Sequence, residues 1–368
     1  MTSLIIAGEI SGDLYASYLA KEIKKEDPDH IIYAIGGTHL KSSTDHFIFE
    51  SASKHGVSLA KHFFNFKFKN ALLLHLKNTL VKTPIKQAIL VDFQHLNEPI
   101  ARLLQKFSIP IHTFITPNFW MWQSKRPAKK ICAYSEKIFC IFQPEYMFYK
   151  SMHKQTFYYG HPFSDIIPDN NIEDLTSSSE PKITLLPGSR PQEFSLYLPK
   201  MLQTCSLLLN AFPLATFCLV VSSKEFETKI QNYLSDYKDL NIQLVFNTSH
   251  NSIKNSHLVL SASGSATLEV ILLNRPLIVF AALPSLTYFI AKYILKIKLS
   301  FISLPNFLTQ QAIIPEFVQS KIIPAQITKT AISMLKNPKV YTKKYSIIKK
   351  CLINQKNVYC CIVKEINS

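Results

Sequence analysis

The chain has 368 residues, of which 47% are hydrophobic and 12% aromatic, and this content excludes a disordered protein. A net charge of +16 reflects either a genome-wide bias or attraction to an anionic partner such as a phosphorylated substrate or lipid surface. Nucleic acid is not expected, because the sequence has no zinc-finger spacing, RNA-binding aromatic motif or dense arginine cluster. Seven cysteines without a C-x-x-C pair indicate reduced thiols in the cytoplasm.

The first half alternates short apolar runs with longer amphipathic stretches, the βαβ rhythm of a parallel sheet. The predicted strands are Ser3–Ala7, Ile31–Ile35, Ala88–Val91, Ile111–Ile115 and Lys137–Ile141. The predicted helices are Asp13–Lys25, Asn70–Lys82 and Glu98–Phe107. The N-terminus has no basic region ahead of an apolar stretch, so no signal peptide is expected.

The polar segment Pro168–Pro181 predicts an interdomain linker, after which the rhythm restarts. The predicted strands there are Ile183–Leu186, Thr216–Val221, Ile242–Phe246, Leu258–Leu260 and Leu277–Phe280, with helices at Leu196–Asn210 and Thr267–Leu273. The run Pro276–Ala291 is too short, and too interrupted by Pro284, to predict a membrane-spanning helix. The sequence thus predicts an α/β protein with two Rossmann-like doubly wound domains, residues 1–167 and 180–339, facing across a cleft. Residues 340–368 are expected to pack back on the first domain.

Glycine is scarce, with eight in the chain, so the glycines at predicted strand ends are informative. Gly8 and Gly12 flank the first strand-to-helix turn, and Gly188 and Gly264 lie in turns of the second half. Such a glycine serves either the turn itself or the close approach of a ligand. The first turn matches neither the dinucleotide fingerprint nor the P-loop, which argues against a dehydrogenase and a P-loop ATPase.

Arg190 follows the turn Gly188-Ser189 and is a candidate for bidentate phosphate binding. The turn Ser263-Gly264-Ser265 precedes a predicted helix, whose N-terminus is suited to a diphosphate. Glu269, one turn into that helix, could accept hydrogen bonds from ribose hydroxyls or simply favour the helix dipole.

Asp92 ends a predicted strand of the first half and is the candidate general base for an acceptor hydroxyl, with a helix-capping role as the alternative. Glu9 is a second carboxylate candidate, either as an acceptor ligand or as an auxiliary base. His95 and His161 are weaker alternatives, since a lone histidine more often has a packing or capping role. The D-x-D match at Asp27–Asp29 lies between a helix end and a strand start. It is interpreted as a turn, so no metal or other cofactor is expected.

Several segments, in this order and spacing, resemble the lipid-A-disaccharide synthases, GT-B glycosyltransferases of family 19. They are AGEISGD (7–13), TPNFWMWQSK (116–125), FQPEYMFY (142–149), GHP (160–162), LLPGSR (185–190), SASGSATLE (261–269), SLPNFL (303–308) and PEFVQ (315–319). The family's D-x-P-D-F-N reads DFQHLN at 92–97, with Gln94 and His95 as departures, and Gln123 stands where a basic residue normally follows Trp-x-Trp.

The resemblance implies inverting transfer of 2,3-diacylglucosamine from its UDP derivative to 2,3-diacylglucosamine 1-phosphate (lipid X). The products are a β(1→6) disaccharide and UDP. It implies peripheral attachment to the inner face of the cytoplasmic membrane, no metal and a possible homodimer. It places Asp92 and Glu9 in catalysis and Ser11, Gly12, Trp120 and Trp122 with the acceptor. On the UDP-sugar side it places Gly188, Ser189, Arg190, Ser263, Gly264, Ser265, Glu269, Asn306 and Gln319.

Two stretches mix rings or apolar residues with lysines: His62–Lys69, and Tyr288–Lys298 with Lys292 and Lys296 one turn apart. Either stretch lies in a membrane interface or presents an ordinary solvated basic face. Two other functions stay open: another GT-B enzyme, such as a UDP-N-acetylglucosamine 2-epimerase, and a non-catalytic basic binding protein.

Overall fold

The computed structural model describes residues 1–51, 62–93, 96–167, 178–221, 226–246, 249–282, 301–355 and 357–368, with no account of the side chains of residues 62–66 and 191. Two compact units divide the chain. The first comprises Met1–Ile166 and Leu352–Ser368, and the second comprises Ile167–Cys351.

The first unit is built on a parallel sheet. Its strands are β1 (Thr2–Ala7), β2 (Ile31–Gly36), β3 (His46–Glu50), β4 (Gln87–Val91), β5 (Ile111–Phe114), β6 (Lys137–Cys140) and β7 (Thr156–Tyr158). Within the described residues the order is β3-β2-β1-β4-β5-β6-β7. Every residue of β4 is buried, as expected of a central parallel strand covered on both faces.

The helices of the first unit connect these strands. They are α1 (Ile10–Glu26), α2 (Thr38–Lys41), α3 (His62–Lys82), α4 (Asn97–Lys106), α5 (Lys125–Tyr134), α6 (Gln143–Lys150) and α7 (Phe163–Ile166). A core of aliphatic side chains, Leu72 and Leu76 of α3 and Ile100 and Leu104 of α4 among them, packs on one face of the sheet.

The second unit repeats the plan. Its strands are β8 (Lys182–Leu186), β9 (Thr216–Val221), β10 (Ile242–Phe246), β11 (Leu258–Ala262), β12 (Leu277–Ala281) and β13 (Glu316–Val318). Their order among the described residues is β10-β9-β8-β11-β12-β13, again with parallel pairs. The helices of this part are α8 (Pro191–Leu209), α9 (Glu227–Leu234), α10 (His250–Lys254), α11 (Ala266–Leu272), α12 (Leu304–Thr309), α13 (Pro324–Lys336), α14 (Pro338–Thr342) and α15 (Tyr345–Leu352).

The last helix, α16 (Val358–Asn367), belongs to the first unit. Tyr359 stacks on Tyr18 of α1, with ring centroids 6.0 Å apart, and its backbone N–H donates to Asp165 at 3.0 Å. Gly160 has a φ of 123°, and a Cβ there would lie 3.1 Å from the Asn354 nitrogen, so glycine permits the close approach of the returning chain. Residues 340–351 stay with the second unit.

The predicted fold class, two Rossmann-like doubly wound domains, is confirmed, whereas their meeting at a cleft stays a prediction. The predicted strand Ile111–Ile115 ends one residue early, at Phe114, because Ile115 leaves the strand conformation with a φ of 62°. α3 begins at His62, eight residues before its predicted start. Most of the predicted linker, residues 168–177, lies outside the described residues. None of the helices in the described part of the chain combines the length and hydrophobicity needed to cross a bilayer.

Candidate active site

In the first unit, the turn after β1 and the turn after β4 lie at the same edge of the sheet. β1 and β4 are neighbours, and Ala7 is in register with Val91. Glu9, Ser11 and Gly12 follow β1, and Asp92 follows β4. The structure therefore brings these four predicted site residues to the carboxyl edge, where ligands of doubly wound sheets bind.

Asp92 has a left-handed backbone, with a φ of 38°. Few residues other than glycine adopt this region, and aspartate is among the more tolerant ones. The β-carbon of Asp92 lies 3.2 Å from where a Cβ on Gly12 would sit, so the start of α1 passes directly beside it. Gly8 is even more constrained, because a Cβ there would lie 1.8 Å from the Phe93 ring. Both glycines of the first turn therefore allow the segment after β4 to pack closely.

Asp13, in the same motif, has a structural task. Its buried carboxylate accepts hydrogen bonds from the backbone N–H groups of Gly37 (2.6 Å), His39 (2.9 Å) and Leu40 (3.2 Å). It satisfies the first donors of α2 and fixes the turn after β2.

The two tryptophans that the resemblance assigns to the acceptor differ in exposure. Trp120 ends a short 3-10 helix after β5 and is 2% exposed, with its ring 5.6 Å from that of Phe142. Trp122, two residues later, is 43% exposed. Of this pair, Trp122 offers the larger surface to a ligand, whereas Trp120 anchors the loop from inside.

His161 is buried among aromatic rings, with Tyr15, Phe142 and Phe163 each within 5.8 Å of its centroid. Burial lowers its pKa to about 3, and Nδ1 accepts the N–H of Phe163 at 3.2 Å. His161 is therefore neutral at neutral pH, and its contacts give it a packing role and not a catalytic one. His95 and Gln94 lie outside the described residues.

In the second unit, the turns after β8 and β11 also share an edge. Leu186 of β8 is in register with Ser261 of β11, so Gly188, Ser189 and Arg190 lie next to the Ser263–Ser265 turn. Gln319, with a φ of 52°, follows β13 at the same edge. These predicted UDP-sugar residues, Gly188–Arg190, Ser263–Ser265 and Gln319, therefore lie at the carboxyl end of this sheet.

The two glycines of this edge have different reasons to be glycine. Gly188 has a φ of 102°, and a Cβ would lie 2.5 Å from the Glu193 carboxylate. Gly264 has no atom within 4 Å of a built Cβ and no positive φ in the 20–160° range. The first glycine is required by the fold, whereas the second leaves open space above a helix start.

Arg190 immediately precedes α8 and its side chain is 47% exposed, and its guanidinium donates to Glu193 at 3.2 Å. This pair, one helical turn apart, orients the arginine at the edge of the sheet.

Glu269 of α11 is largely buried, and its carboxylate is held by two residues outside the predicted site, Ser249 and His250. The Ser249 hydroxyl donates to it at 3.0 Å, and His250 Nδ1 lies 3.3 Å away. They precede or begin α10, some twenty residues from Glu269, and no motif joins them in sequence.

Asn306 of α12 is fully buried and crosslinks the loop before β13. Its amide nitrogen donates to the Ile314 carbonyl (2.8 Å) and to Glu316 (3.2 Å). Its oxygen accepts the N–H groups of Ile313 and Ile314 at 2.9 and 2.8 Å. These contacts make Asn306 a positioning residue, and its contact with the UDP-sugar stays a prediction.

The D-x-D match forms a turn between α1 and β2, as predicted, with the Asp29 N–H donating to the Asp27 carboxylate at 3.2 Å. That turn is at the amino edge of the sheet, away from Asp92. The membrane candidates fall partly outside the structure, since Tyr288–Lys298 is not described and His62–Lys69 forms the first part of α3.

Two successive Rossmann-like units, each with polar residues at the carboxyl edge of its sheet, place the chain in the GT-B fold class. Solved structures share this fold across the chain. They include UDP-GlcNAc 2-epimerase from Neisseria meningitidis (TM-score 0.63, 13% identity, all of both chains) and Acinetobacter baumannii MurG (TM-score 0.54, 12% identity, 100% of this chain and 99% of that one).

The sequence comparisons specify the family. A family model described as lipid-A-disaccharide synthetase matches residues 3–366. The lipid-A-disaccharide synthase of Anaeromyxobacter sp. (strain K) is 30% identical over 329 residues, covering 88% of this chain and 85% of the relative. That of Coxiella burnetii (strain Dugway 5J108-111) is 27% identical over 340 residues, covering 91% and 89%. The chain belongs to the lipid-A-disaccharide synthase family of glycosyltransferases.

Proposed function

We propose that this enzyme transfers 2,3-diacylglucosamine from UDP-2,3-diacylglucosamine to lipid X, giving the β(1→6) disaccharide 1-phosphate and UDP. The observation that carries the proposal is the family match, which extends over residues 3–366 and so includes both units. An epimerase is not favoured, because the epimerases resemble the chain in fold at 13% identity or less.

The first unit binds the acceptor and supplies the general base. Asp92 removes the proton from the attacking hydroxyl of lipid X as that oxygen bonds to the anomeric carbon and UDP leaves from the opposite face, which inverts the configuration. Glu9 assists as a second carboxylate. Ser11, Gly12 and Trp122 contact the acceptor, and the buried Trp120 holds the loop that carries Trp122.

The second unit binds the donor. Arg190 and the amide-rich turns at Gly188–Ser189 and Ser263–Ser265 hold the diphosphate, because charge-assisted bonds to phosphate are strong and helix starts favour anions. Glu269 accepts hydrogen bonds from the ribose hydroxyls, and Ser249 and His250 orient its carboxylate. Asn306 and Gln319 are the remaining residues proposed for the UDP-sugar site.

The proposed location is the cytoplasmic side of the inner membrane, with peripheral attachment, because both substrates carry acyl chains. The net charge of +16 supports attraction to an anionic lipid surface. The proposed oligomeric state is a homodimer.

The test is a product assay with labelled UDP-2,3-diacylglucosamine, with and without lipid X. We expect one UDP per disaccharide 1-phosphate, identified by mass spectrometry, and no reaction without lipid X. Conversion of the sugar nucleotide to an epimer in the absence of acceptor would refute the proposal, as would a lack of UDP release with both substrates present.

A further inference from the structure

Glu145 is a fully buried carboxylate near the carboxyl edge of the first unit, at the third position of α6. One oxygen accepts the backbone N–H (3.0 Å) and the hydroxyl (2.6 Å) of Thr116. The other accepts the N–H groups of Ile141 (2.8 Å) and Phe142 (3.2 Å). A carboxylate is acceptor-only with about four lone-pair positions, so it matches these four donors.

Capping α6 explains only part of this arrangement. The bond from Phe142 is the half of a capping box that a glutamate at the third helical position makes. The two bonds from Thr116 come from a residue 29 positions away, on the loop after β5. Burial raises the pKa of Glu145, and the hydrogen bonds act in the opposite direction. A buried charge needs such partners, so the carboxylate and the loop depend on each other.

The residue before Thr116 has an unusual conformation. Ile115 has a φ of 62°, which for a β-branched side chain is a true outlier. Such strain persists only where the surroundings enforce it. Here the Ile115 N–H donates to the Phe139 carbonyl at 3.1 Å, and Glu145 holds the following residue by two bonds.

The strained residue contacts Asp92 directly. The Ile115 carbonyl accepts the Asp92 N–H at 3.3 Å, and Asp92 is itself left-handed, with a φ of 38°. The contacts therefore form a continuous chain from Glu145 through Thr116 and Ile115 to the backbone of Asp92.

We propose that Glu145 is a positioning residue for Asp92: by holding Thr116, it keeps Ile115 left-handed and its carbonyl placed to anchor the Asp92 backbone. The inference rests on the proposed function, which gives Asp92 its role as base. Glu145 itself does not touch the substrate. Its removal should act on the chemical step and leave donor binding intact.

The variant Glu145→Gln keeps the size of the side chain but replaces one carboxylate oxygen with an NH2 group. Each oxygen of Glu145 accepts two hydrogen bonds, so the NH2 group would face two donors in either orientation. We expect kcat to fall by up to about 100-fold, the loss typical of a catalytic group misplaced by about 1 Å, with KM for the UDP-sugar unchanged. Asp45→Asn is the matched control, because that carboxylate also accepts a backbone N–H, from Ile32 at 2.8 Å, at the opposite edge of the sheet. Its kcat should equal that of the wild type.

A double variant separates positioning from general damage. If Glu145 acts through Asp92, then Asp92→Asn with Glu145→Gln is no slower than Asp92→Asn alone, because coupled residues are not additive. Multiplied losses would overturn the inference. If Asp92→Asn alone leaves kcat unchanged, the proposed base assignment fails. A normal Asp92→Asn loss with full activity in Glu145→Gln overturns only the positioning role.

Thr116→Val covers the case in which Glu145→Gln does not fold. It removes the 2.6 Å hydroxyl bond and leaves the backbone bond to Glu145 in place. We expect a smaller loss of kcat with KM for the UDP-sugar unchanged. An unchanged kcat, or a raised KM alone, would contradict the inference.

Discussion

The two units share a topology but shape their carboxyl edges differently. In the first unit, the turns after β4 and β5 place Asp92 and Ile115, which carry side chains, in the left-handed region. In the second unit, the turns after β8 and β11 use Gly188 and Gly264, while the left-handed Gln319 follows the edge strand β13. A strained residue with a side chain delivers a chemical group at a defined point, whereas a glycine turn exposes backbone amides. This difference supports the proposal that the first edge carries the chemistry and that the turns after β8 and β11 hold the anion.

The largest expected effect comes from removing the chemistry of the first edge. Asp92→Asn retains shape but cannot take a proton, so kcat should fall by about 10²–10⁴, the usual value of general-base assistance. The affinity for UDP, measured by calorimetry, should stay at the wild-type value. If instead UDP binding weakened and kcat did not change, the division of tasks between the units would be wrong.

The second effect concerns anion binding at the other edge. Arg190→Ala should weaken UDP binding by about 10- to 150-fold, because a hydrogen bond to a charged group contributes about 1.5–3 kcal/mol. Arg102→Ala is the control, since Arg102 also pairs with a glutamate on its own helix, Glu98 at 2.7 Å, but in the first unit. Equal UDP affinity in both variants would remove Arg190 from the site.

The smallest effect distinguishes the two glycines of the second edge. Gly188→Ala should destabilise the protein by about 1–3 kcal/mol, because its backbone is left-handed and Glu193 fills the space. Gly264→Ala meets no neighbouring atom, so its stability should change by less than about 0.5 kcal/mol while UDP affinity falls. Thermal unfolding and calorimetry measure both. A stable Gly188→Ala, or a Gly264→Ala with full UDP affinity, would break the contrast.

The sequence patterns predict the central strands well, because a strand that is buried on both faces of a parallel sheet is a continuous apolar run. The edge strands β3, β7 and β13 were not predicted. They have three to five residues, and β3 and β13 include charged or partly exposed positions that weaken the apolar signal. The apolar run that predicts β5 extends to Ile115, and isoleucine favours strands. The true conformation of Ile115 depends on a carboxylate 30 residues later in the chain.

The candidate site shows the same division. That Asp92 and the Gly8–Gly12 turn share an edge follows from the motifs and the rule for parallel sheets. The partners that hold the site do not follow, because they are joined only by the fold. Glu145 meets Thr116, Ser249 meets Glu269, and Asn306 meets Glu316 through hydrogen bonds that no local pattern records. Trp120, which the resemblance assigns to the acceptor, packs on Phe142 and is 2% exposed.

The return of α16 to the first unit has a consequence for biosynthesis. On the ribosome, the whole second unit is made before the segment that covers α1 and supplies the backbone and hydroxyl partners of Lys137 on β6. Nascent chains usually acquire structure domain by domain from the N-terminus. Here the N-terminal domain stays incomplete until α16 has been synthesised, so the aromatic side chains of Tyr18 and Phe114 lack their partner Tyr359 while the second unit is being made.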